Sequence, residues 1–140
     1  MEQCFTVYGK PIGKGRARIT TRGGFAHAYT PKNTADYEKQ VKEAYLNKYG
    51  NLAPSEKPIA VTIVAEFEPT ASWSKKKKAA ALAQELSHIS KPDLDNVLKS
   101  INDAINGMAY KDDSQIISIE AAKCYGTENK VTVTIREVDD

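Results

Sequence analysis

One short segment carries most of the chemistry of this 140-residue chain. Asp93 and Asp95 precede an apolar run, Lys99 lies within it, and Asp112 and Asp113 follow as a pair. Two like charges about 4 Å apart repel by roughly 4 kcal/mol at an effective dielectric near 20, so converging carboxylates must protonate, separate or hold a cation. Oxygen ligands without neighbouring imidazole or thiol groups favour Mg²⁺ or Mn²⁺. We therefore expect a divalent-cation site if these acids converge.

An amphipathic helix is predicted to position these acids. Apolar residues recur at the spacing of one helical face: Leu94, Val97, Leu98, Ile101, Ala104, Ile105 and Met108. This pattern predicts a helix from about Asp93 to Gly107. The polar turn over residues 107–114 would then return the aspartate pair towards the start of the helix.

Each acid also has a purely structural interpretation. Asp93 suits an N-cap, and Asp95 suits a first turn, where the helix dipole favours negative charge. Asp95, Lys99 and Asp103 are spaced four apart, as in exposed ion pairs along a helix edge. Spacing alone leaves both interpretations open.

Two other metal-binding motifs fit poorly. An EF-hand starting at Asp93 requires glycine and glutamate at its sixth and twelfth positions, where this chain has Leu98 and Ala104. The three residues from Asp93 to Asp95 match the DxD of nucleotide-sugar transferases. A match of three residues is weak evidence, and 140 residues leave little room for the usual nucleotide-binding sheet.

Two basic segments suit a polyanion. The net charge is only +2, but the chain between Gln3 and Ala35 contains no acid and these cations: Lys10, Lys14, Arg16, Arg18, Arg22 and Lys32. The second segment is a lysine run: Lys75, Lys76, Lys77 and Lys78. Cations among glycines can follow a phosphate backbone, and cations at a helix N-terminus suit an anion better than they suit the helix. Solvated surface charge remains the alternative for both segments.

The aromatic residues near these segments favour structure over base stacking. Phe25, His27 and Tyr29 alternate, as residues on one face of a strand do. Trp73, which precedes the lysine run, is expected to anchor the core or a hinge.

The pattern of elements predicts one α+β domain, a small mixed sheet with about three packed helices. We expect strands over residues 4–8, 59–67, 116–125 and 130–138, with a hairpin turn over residues 126–129 joining the last two. Helices are expected from a cap at Asn33 or Thr34 to about Tyr49, from Lys75 to about Ser87, and over the acidic segment. The glycine-rich residues 9–29 are expected to form a loop or ribbon.

We expect a soluble, cytoplasmic protein. Cys4 and Cys124 have no CxxC spacing, so we expect two reduced core thiols. No apolar run approaches the roughly 18 residues that span a bilayer, and the N-terminus lacks a signal pattern.

The acidic and basic motifs together resemble one protein family. PDLDNVLKSINDAING followed by YKDDSQI resembles the RusA family of Holliday junction resolvases, and GKPIGKGRARIT and SWSKKKK are similar to its phage-type branch. The resemblance implies a homodimer that uses magnesium. It also implies paired nicks in two strands of like polarity at a four-way DNA junction.

The resemblance also implies roles for individual residues. Asp93 and Asp95 would be metal ligands and Lys99 a catalytic helper. Asp113 would be the third ligand, with Asp112 as the alternative. The glycine-rich cations and the lysine run would contact DNA. A junction-binding module without catalysis is the alternative function.

Overall fold

A computed structural model describes residues 1–15, 18–29 and 31–139, without the side chains of residues 18, 20, 22 and 27–29. In the described part, the strands are β1 (Glu2–Tyr8), β2 (Arg18–Thr20), β3 (His27–Tyr29), β4 (Ile59–Phe67), β5 (Ile116–Tyr125) and β6 (Lys130–Glu137). The helices there are α1 (Lys32–Tyr49), α2 (Lys75–Leu82) and α3 (Leu94–Ile105). Short 3-10 turns cover Arg22–Gly24 and Asp113–Gln115. This confirms the predicted α+β domain with a mixed sheet and three helices.

The main sheet has the strand order β1-β6-β4-β5. β6 is antiparallel to β1 and β4, and β5 is parallel to β4. The predicted hairpin between β5 and β6 is therefore wrong. The connection crosses the end of β4, where the Gly126 N–H donates to the Phe67 carbonyl at 2.9 Å and the Asn129 side chain accepts from the Glu68 N–H at 2.8 Å. Because the chain crosses β4, β6 lies in the centre of the sheet. Its alternating apolar residues Val131, Val133 and Ile135 are fully buried there.

The core lies between this sheet and two helices. β4 buries every second side chain, and α1 and α3 cover the same face. From α3, Val97, Ile101 and Ile105 are completely buried, and each such side chain contributes roughly 1.5 to 3 kcal/mol. Burial of this face fixes how α3 lies on the sheet. In the described ranges, no helix is long and apolar enough to cross a membrane.

The two cysteines are free, but they are not core residues. Cys4 and Cys124 are both half-buried. Each alternates with a residue that faces the helices, Phe5 and Tyr125 respectively. Because strand side chains alternate between faces, the thiols lie on the face opposite the helices.

Two helix boundaries differ from the predictions. α1 starts after Pro31, whose ring fixes φ, and neither Asn33 nor Thr34 is its cap. Thr34 instead accepts a hydrogen bond from the Gly15 N–H at 3.0 Å. α2 ends at Leu82, because Gln84 adopts a φ of +63°.

The start of the glycine-rich segment lies against α3. The Lys14 N–H donates to the Asn96 carbonyl at 2.8 Å, and the Ser100 hydroxyl lies 2.9 Å from the Ile12 carbonyl. A Cβ on Gly13 would lie 3.0 Å from the Cβ of Asn96 and 3.2 Å from that of Pro92, so a side chain here would push the segment off the helix. Further along, β2 and β3 form the expected ribbon.

We predict that Ser100→Ala lowers the free energy of unfolding by about 1 to 2 kcal/mol. Ser100 is fully buried, and its loss leaves the Ile12 carbonyl without this donor. Urea denaturation at constant m-value measures the change. Ser118→Ala, at an exposed position on β5, is the control and should stay within about 0.5 kcal/mol of the parent. Equal losses in the two variants would contradict the anchoring role of Ser100.

Candidate functional site: an acidic helix start among lysines

Asp93 occupies the N-cap position of α3 but does not cap it. Its side chain accepts no hydrogen bond from the first turn of the helix, and Oδ1 lies 2.7 Å from the Lys91 ammonium. The hydrogen bond and charge of Lys91 hold the pKa of Asp93 below its ordinary value. The carboxylate is 49% exposed and therefore open to a ligand from solvent.

Asp95 and Lys99 follow on the exposed side of α3. Asp95 accepts a hydrogen bond from the Asn96 N–H at 3.0 Å. Among the described residues, Lys99 forms no ion pair with Asp95 or Asp103. The alternative of an ion-paired helix edge is therefore wrong for Lys99, whose ammonium stays available.

Asp103 is instead part of an internal ion triad. The Lys14 ammonium contacts Glu38 and lies 3.4 Å from Asp103. Burial lowers the pKa of Lys14, but the two carboxylates raise it by more. The triad joins the glycine-rich segment to α1 and α3. With its side chain only 18% exposed, Lys14 directs its charge inward, and its contact with DNA stays a prediction.

The structure distinguishes Asp112 from Asp113. Asp112 accepts hydrogen bonds from the N–H and hydroxyl of Ser114, while its own N–H donates to the Gln115 side chain at 2.8 Å. Asp112 and Gln115 form a capping box, and the hydrogen bonds from Ser114 lower the pKa of the Asp112 carboxyl. The Asp113 carboxylate is exposed and accepts no hydrogen bond within the described part of the chain. Asp113 is therefore the better candidate for a ligand.

The charges of Asp113 and Asp103 both act on Tyr110, which follows α3. The pKa of Tyr110 is raised by burial and then by the negative charges of Asp113, Asp103 and Asp112. Asp103 is separated from Asp95 by eight residues, about 12 Å along the helix axis. In the described ranges, no three His, Cys, Asp or Glu side chains are grouped to hold a metal ion. The described residues thus show no three-acid cluster, and the ligand set of Asp93, Asp95 and Asp113 stays a prediction.

Two carboxylates nevertheless suit a hard cation. Mg²⁺ usually retains several waters and is bound through one or two carboxylates plus substrate phosphates, so it does not require a cage of protein ligands. Asp93 and Asp95 supply such oxygen donors at the exposed start of α3. The donor chemistry fits a magnesium ion that also binds a phosphate.

A basic cavity lies beside Asp93. Its volume is about 480 Å³, and its polar lining consists of Lys10, Lys14, Asn33, Lys91, Asp93 and Asn96. The structure therefore brings two of the predicted DNA contacts, Lys10 and Lys14, next to a predicted ligand. Lys91 was missed by sequence reasoning, although it directly precedes the PDLDN motif.

The remaining predicted DNA contacts lie elsewhere. Lys75, Lys76 and Lys77 are exposed on α2, which Ser74 caps as expected through the Lys77 N–H at 3.2 Å. Trp73 is half-buried against the core, as predicted, with the Lys77 ammonium 4.2 Å from its ring centroid. Lys78 is half-buried. Arg16 lies outside the described residues, as do the side chains of Arg18 and Arg22.

Comparison with known proteins places the chain in a family. Residues 8–136 match the family model described as Endodeoxyribonuclease RusA. The chain belongs to the RusA endodeoxyribonuclease family. It is 36% identical over 135 residues to the uncharacterized protein YqaN of Bacillus subtilis (strain 168), covering 96% of this chain and 95% of YqaN. It is also 42% identical over 50 residues to the crossover junction endodeoxyribonuclease rusA of Lactococcus phage r1t, which covers 35% of this chain and 38% of that enzyme.

A lysine on β5 positions the RusA acidic motif in this chain. The Lys123 ammonium donates to the Ser90 carbonyl at 2.7 Å and to the Pro92 carbonyl at 3.1 Å. These two contacts flank Lys91 and directly precede Asp93. The sequence offers only a weak signal for this role, a single cation among small residues in the last half of a strand.

We predict that Lys123→Met loosens the start of α3. Loss of a charged donor should lower the local opening free energy by about 1 kcal/mol, roughly a fivefold faster hydrogen exchange. The reporter is the Val97 amide, which donates to the Asp93 carbonyl at 3.1 Å. Lys111→Met, which removes an exposed pair with Glu56, is the control. Unchanged exchange at Val97 in the Lys123 variant would contradict this role.

Proposed function

We propose that this RusA-family chain is a magnesium-dependent endonuclease that resolves four-way DNA junctions by paired symmetric nicks in strands of like polarity. The supporting observation is the exposed Asp93, which lines a cavity with three lysines and is followed by the exposed Asp95, in a chain of this family. Recombination and DNA repair in the cytoplasm are the processes we assign to it.

The metal assignment rests on the donor set. Asp93 and Asp95 would hold Mg²⁺, or Mn²⁺ in its place, with Asp113 as a third ligand. A bound divalent ion supplies an activated water and neutralises charge on the phosphate under attack. Asp113 would reach this ion from the turn that follows α3.

Lysines of this chain would bind the phosphate and stabilise its charge. Lys10 and Lys91 attract a phosphate into the cavity beside Asp93. Lys99 offsets negative charge on a non-bridging oxygen or assists proton transfer. The products are a 5′-phosphate and a 3′-hydroxyl.

Phosphate contacts outside the cavity position the junction. We assign them to Arg16, Arg18 and Arg22 in the glycine-rich segment and to the lysine run on α2, with Lys14 holding that segment in place. Each contact releases counterions, so binding should weaken steeply with salt.

A homodimer fits the symmetry of the substrate. A four-way junction has approximate two-fold symmetry, so a two-fold dimer places one acidic site at each of two equivalent strands. We assign the interface to the outer edge of β5. There Ile117 and Ile119 are 63% and 44% exposed, and within the described residues only the Tyr125 carbonyl is covered, by Gln84. On the opposite edge of the sheet, Gln40, Lys48 and Tyr49 of α1 cap the carbonyls of β1.

We predict that Asp95→Asn abolishes cleavage and preserves binding. Loss of one carboxylate should slow junction cleavage with magnesium at least about 100-fold, while affinity in chelator stays equal or rises because phosphate is repelled less. Gel mobility shift and end-labelled cleavage assays measure the two effects.

Asp139→Asn is the matched control, because that carboxylate is 97% exposed and distant in sequence from the acidic motif. It should cut like the parent. Cleavage by Asp95→Asn at the parental rate would overturn the metal-site assignment. If the parent binds junctions without nicking them, the chain is a binding module.

We predict a dimer in solution that the β5 edge maintains. Sedimentation at concentrations where junctions are cut should show a dimer for the parent and a monomer for Ile117→Lys, because a charge on the shared edge opposes pairing. Ile89→Lys is the control at a 90% exposed residue outside the strands and should remain dimeric. A monomeric parent would contradict the dimer, and a dimeric Ile117 variant would contradict this interface.

A further inference from the structure

A second cavity lies at the carboxyl ends of β4 and β5. Its volume is about 350 Å³, near the lower end of the roughly 300 to 1,000 Å³ of small-molecule pockets. Its lining includes Lys10, Phe67, Thr70, His88, Lys91 and Tyr125. Lys10 and Lys91 also line the cavity beside Asp93, so the two cavities share a basic rim. A strand that enters one of them passes the other.

Aromatic rings form the inner wall of this second cavity. The His88 ring stacks on Phe67 with centroids 4.0 Å apart and planes at 17°, and it lies 5.2 Å from Tyr125. Phe67 and Tyr125 are 3% and 5% exposed. His88 is half-buried, so it is the ring of this stack that an incoming group meets.

The charges at the cavity are divided between wall and rim. Burial lowers the pKa of His88, and the positive charges of Lys123 and Lys10 also lower it against one backbone hydrogen bond that raises it, which favours the uncharged ring. The lining carries two ammonium groups, those of Lys10 and Lys91, and one carboxylate, that of Glu68. An aromatic wall below a rim with more positive than negative charge matches a nucleotide, which joins a flat ring to a phosphate.

We propose that this cavity binds one unstacked nucleobase of the branched DNA, with its ring against His88 and its phosphate at Lys10 and Lys91. The inference rests on the proposed function for its substrate and adds a base-binding subsite to it. Every base has a π-face, so such stacking tolerates any sequence. Unstacking costs least where pairing is already interrupted, which selects a base at the branch point over one in a continuous duplex.

The test is a double-mutant cycle between His88 and single bases of the junction. Dissociation constants are measured in chelator, which prevents cleavage, for junctions in which each branch-point nucleotide in turn is replaced by an abasic one. His88→Ala should weaken binding to the intact junction at least about fivefold, the lower range for a base-stacking ring. At one branch-point position, the abasic junction should bind the parent and His88→Ala equally.

A second variant tests the same cavity in case His88→Ala does not fold. Thr70→Trp fills the cavity from an exposed lining residue and should reproduce the loss for the intact junction. Ile89 directly follows His88 and does not line the cavity. Ile89→Ala is therefore the control for His88→Ala, and Ile89→Trp is the control for Thr70→Trp. Both Ile89 variants should bind the junction as the parent does. In the contrary outcome, the loss from each cavity variant and the loss from the abasic nucleotide simply add at every branch-point position. That result would overturn the base-binding inference. If the parent still cuts junctions in that case, the proposed function stands, whereas a parent that neither prefers nor cuts junctions contradicts both.

Discussion

Burial of one face of α3 against the sheet fixes where the charged groups of this helix lie. Val97, Ile101 and Ile105 hold the helix on β4 and its neighbours, and the opposite face then carries Asp95 and Lys99 into solvent. The same helix anchors the glycine-rich segment through Asn96 and Ser100. A shift of α3 would therefore move the acids and the adjacent lysines together.

The site combines opposite charges that do not simply neutralise one another. Lys14 pairs with Glu38 and Asp103 and thereby holds the start of the glycine-rich segment in place. Lys10 lines both cavities. Lys91 pairs with Asp93 on the exposed side, where a cation or a phosphate can compete for either partner. Lys123 binds the carbonyls on both sides of Lys91 and thereby fixes the position of the Lys91–Asp93 ion pair. The helix start thus exposes an ammonium and a carboxylate together, the groups that the proposed function assigns to a phosphate and a metal ion.

Local patterns were sufficient to predict α3, β4 and the mixed sheet, because helical and strand periodicities report directly which side chains are buried. The connection from β5 to β6 was predicted wrongly. A short polar turn between two strands looks alike whether the strands pair or a third strand lies between them. The cap of α1 was misplaced because Thr34 bonds to Gly15, a residue distant in sequence. Lys91 and Lys123 could not be identified in advance, since their roles depend on carbonyl and carboxylate positions that only the fold defines. The sequence also could not separate Asp112 from Asp113, which the capping box does.

In the proposed function, one acidic site per subunit cuts two equivalent strands of a four-way junction. The most direct measurement maps nicks on a synthetic junction whose four strands are end-labelled in turn, with magnesium, chelator and linear duplex as comparisons. We predict nicks at symmetric positions in two strands of like polarity, dependent on magnesium and absent from the linear duplex. Nicks confined to one strand, or equal cutting of junction and duplex, would contradict it.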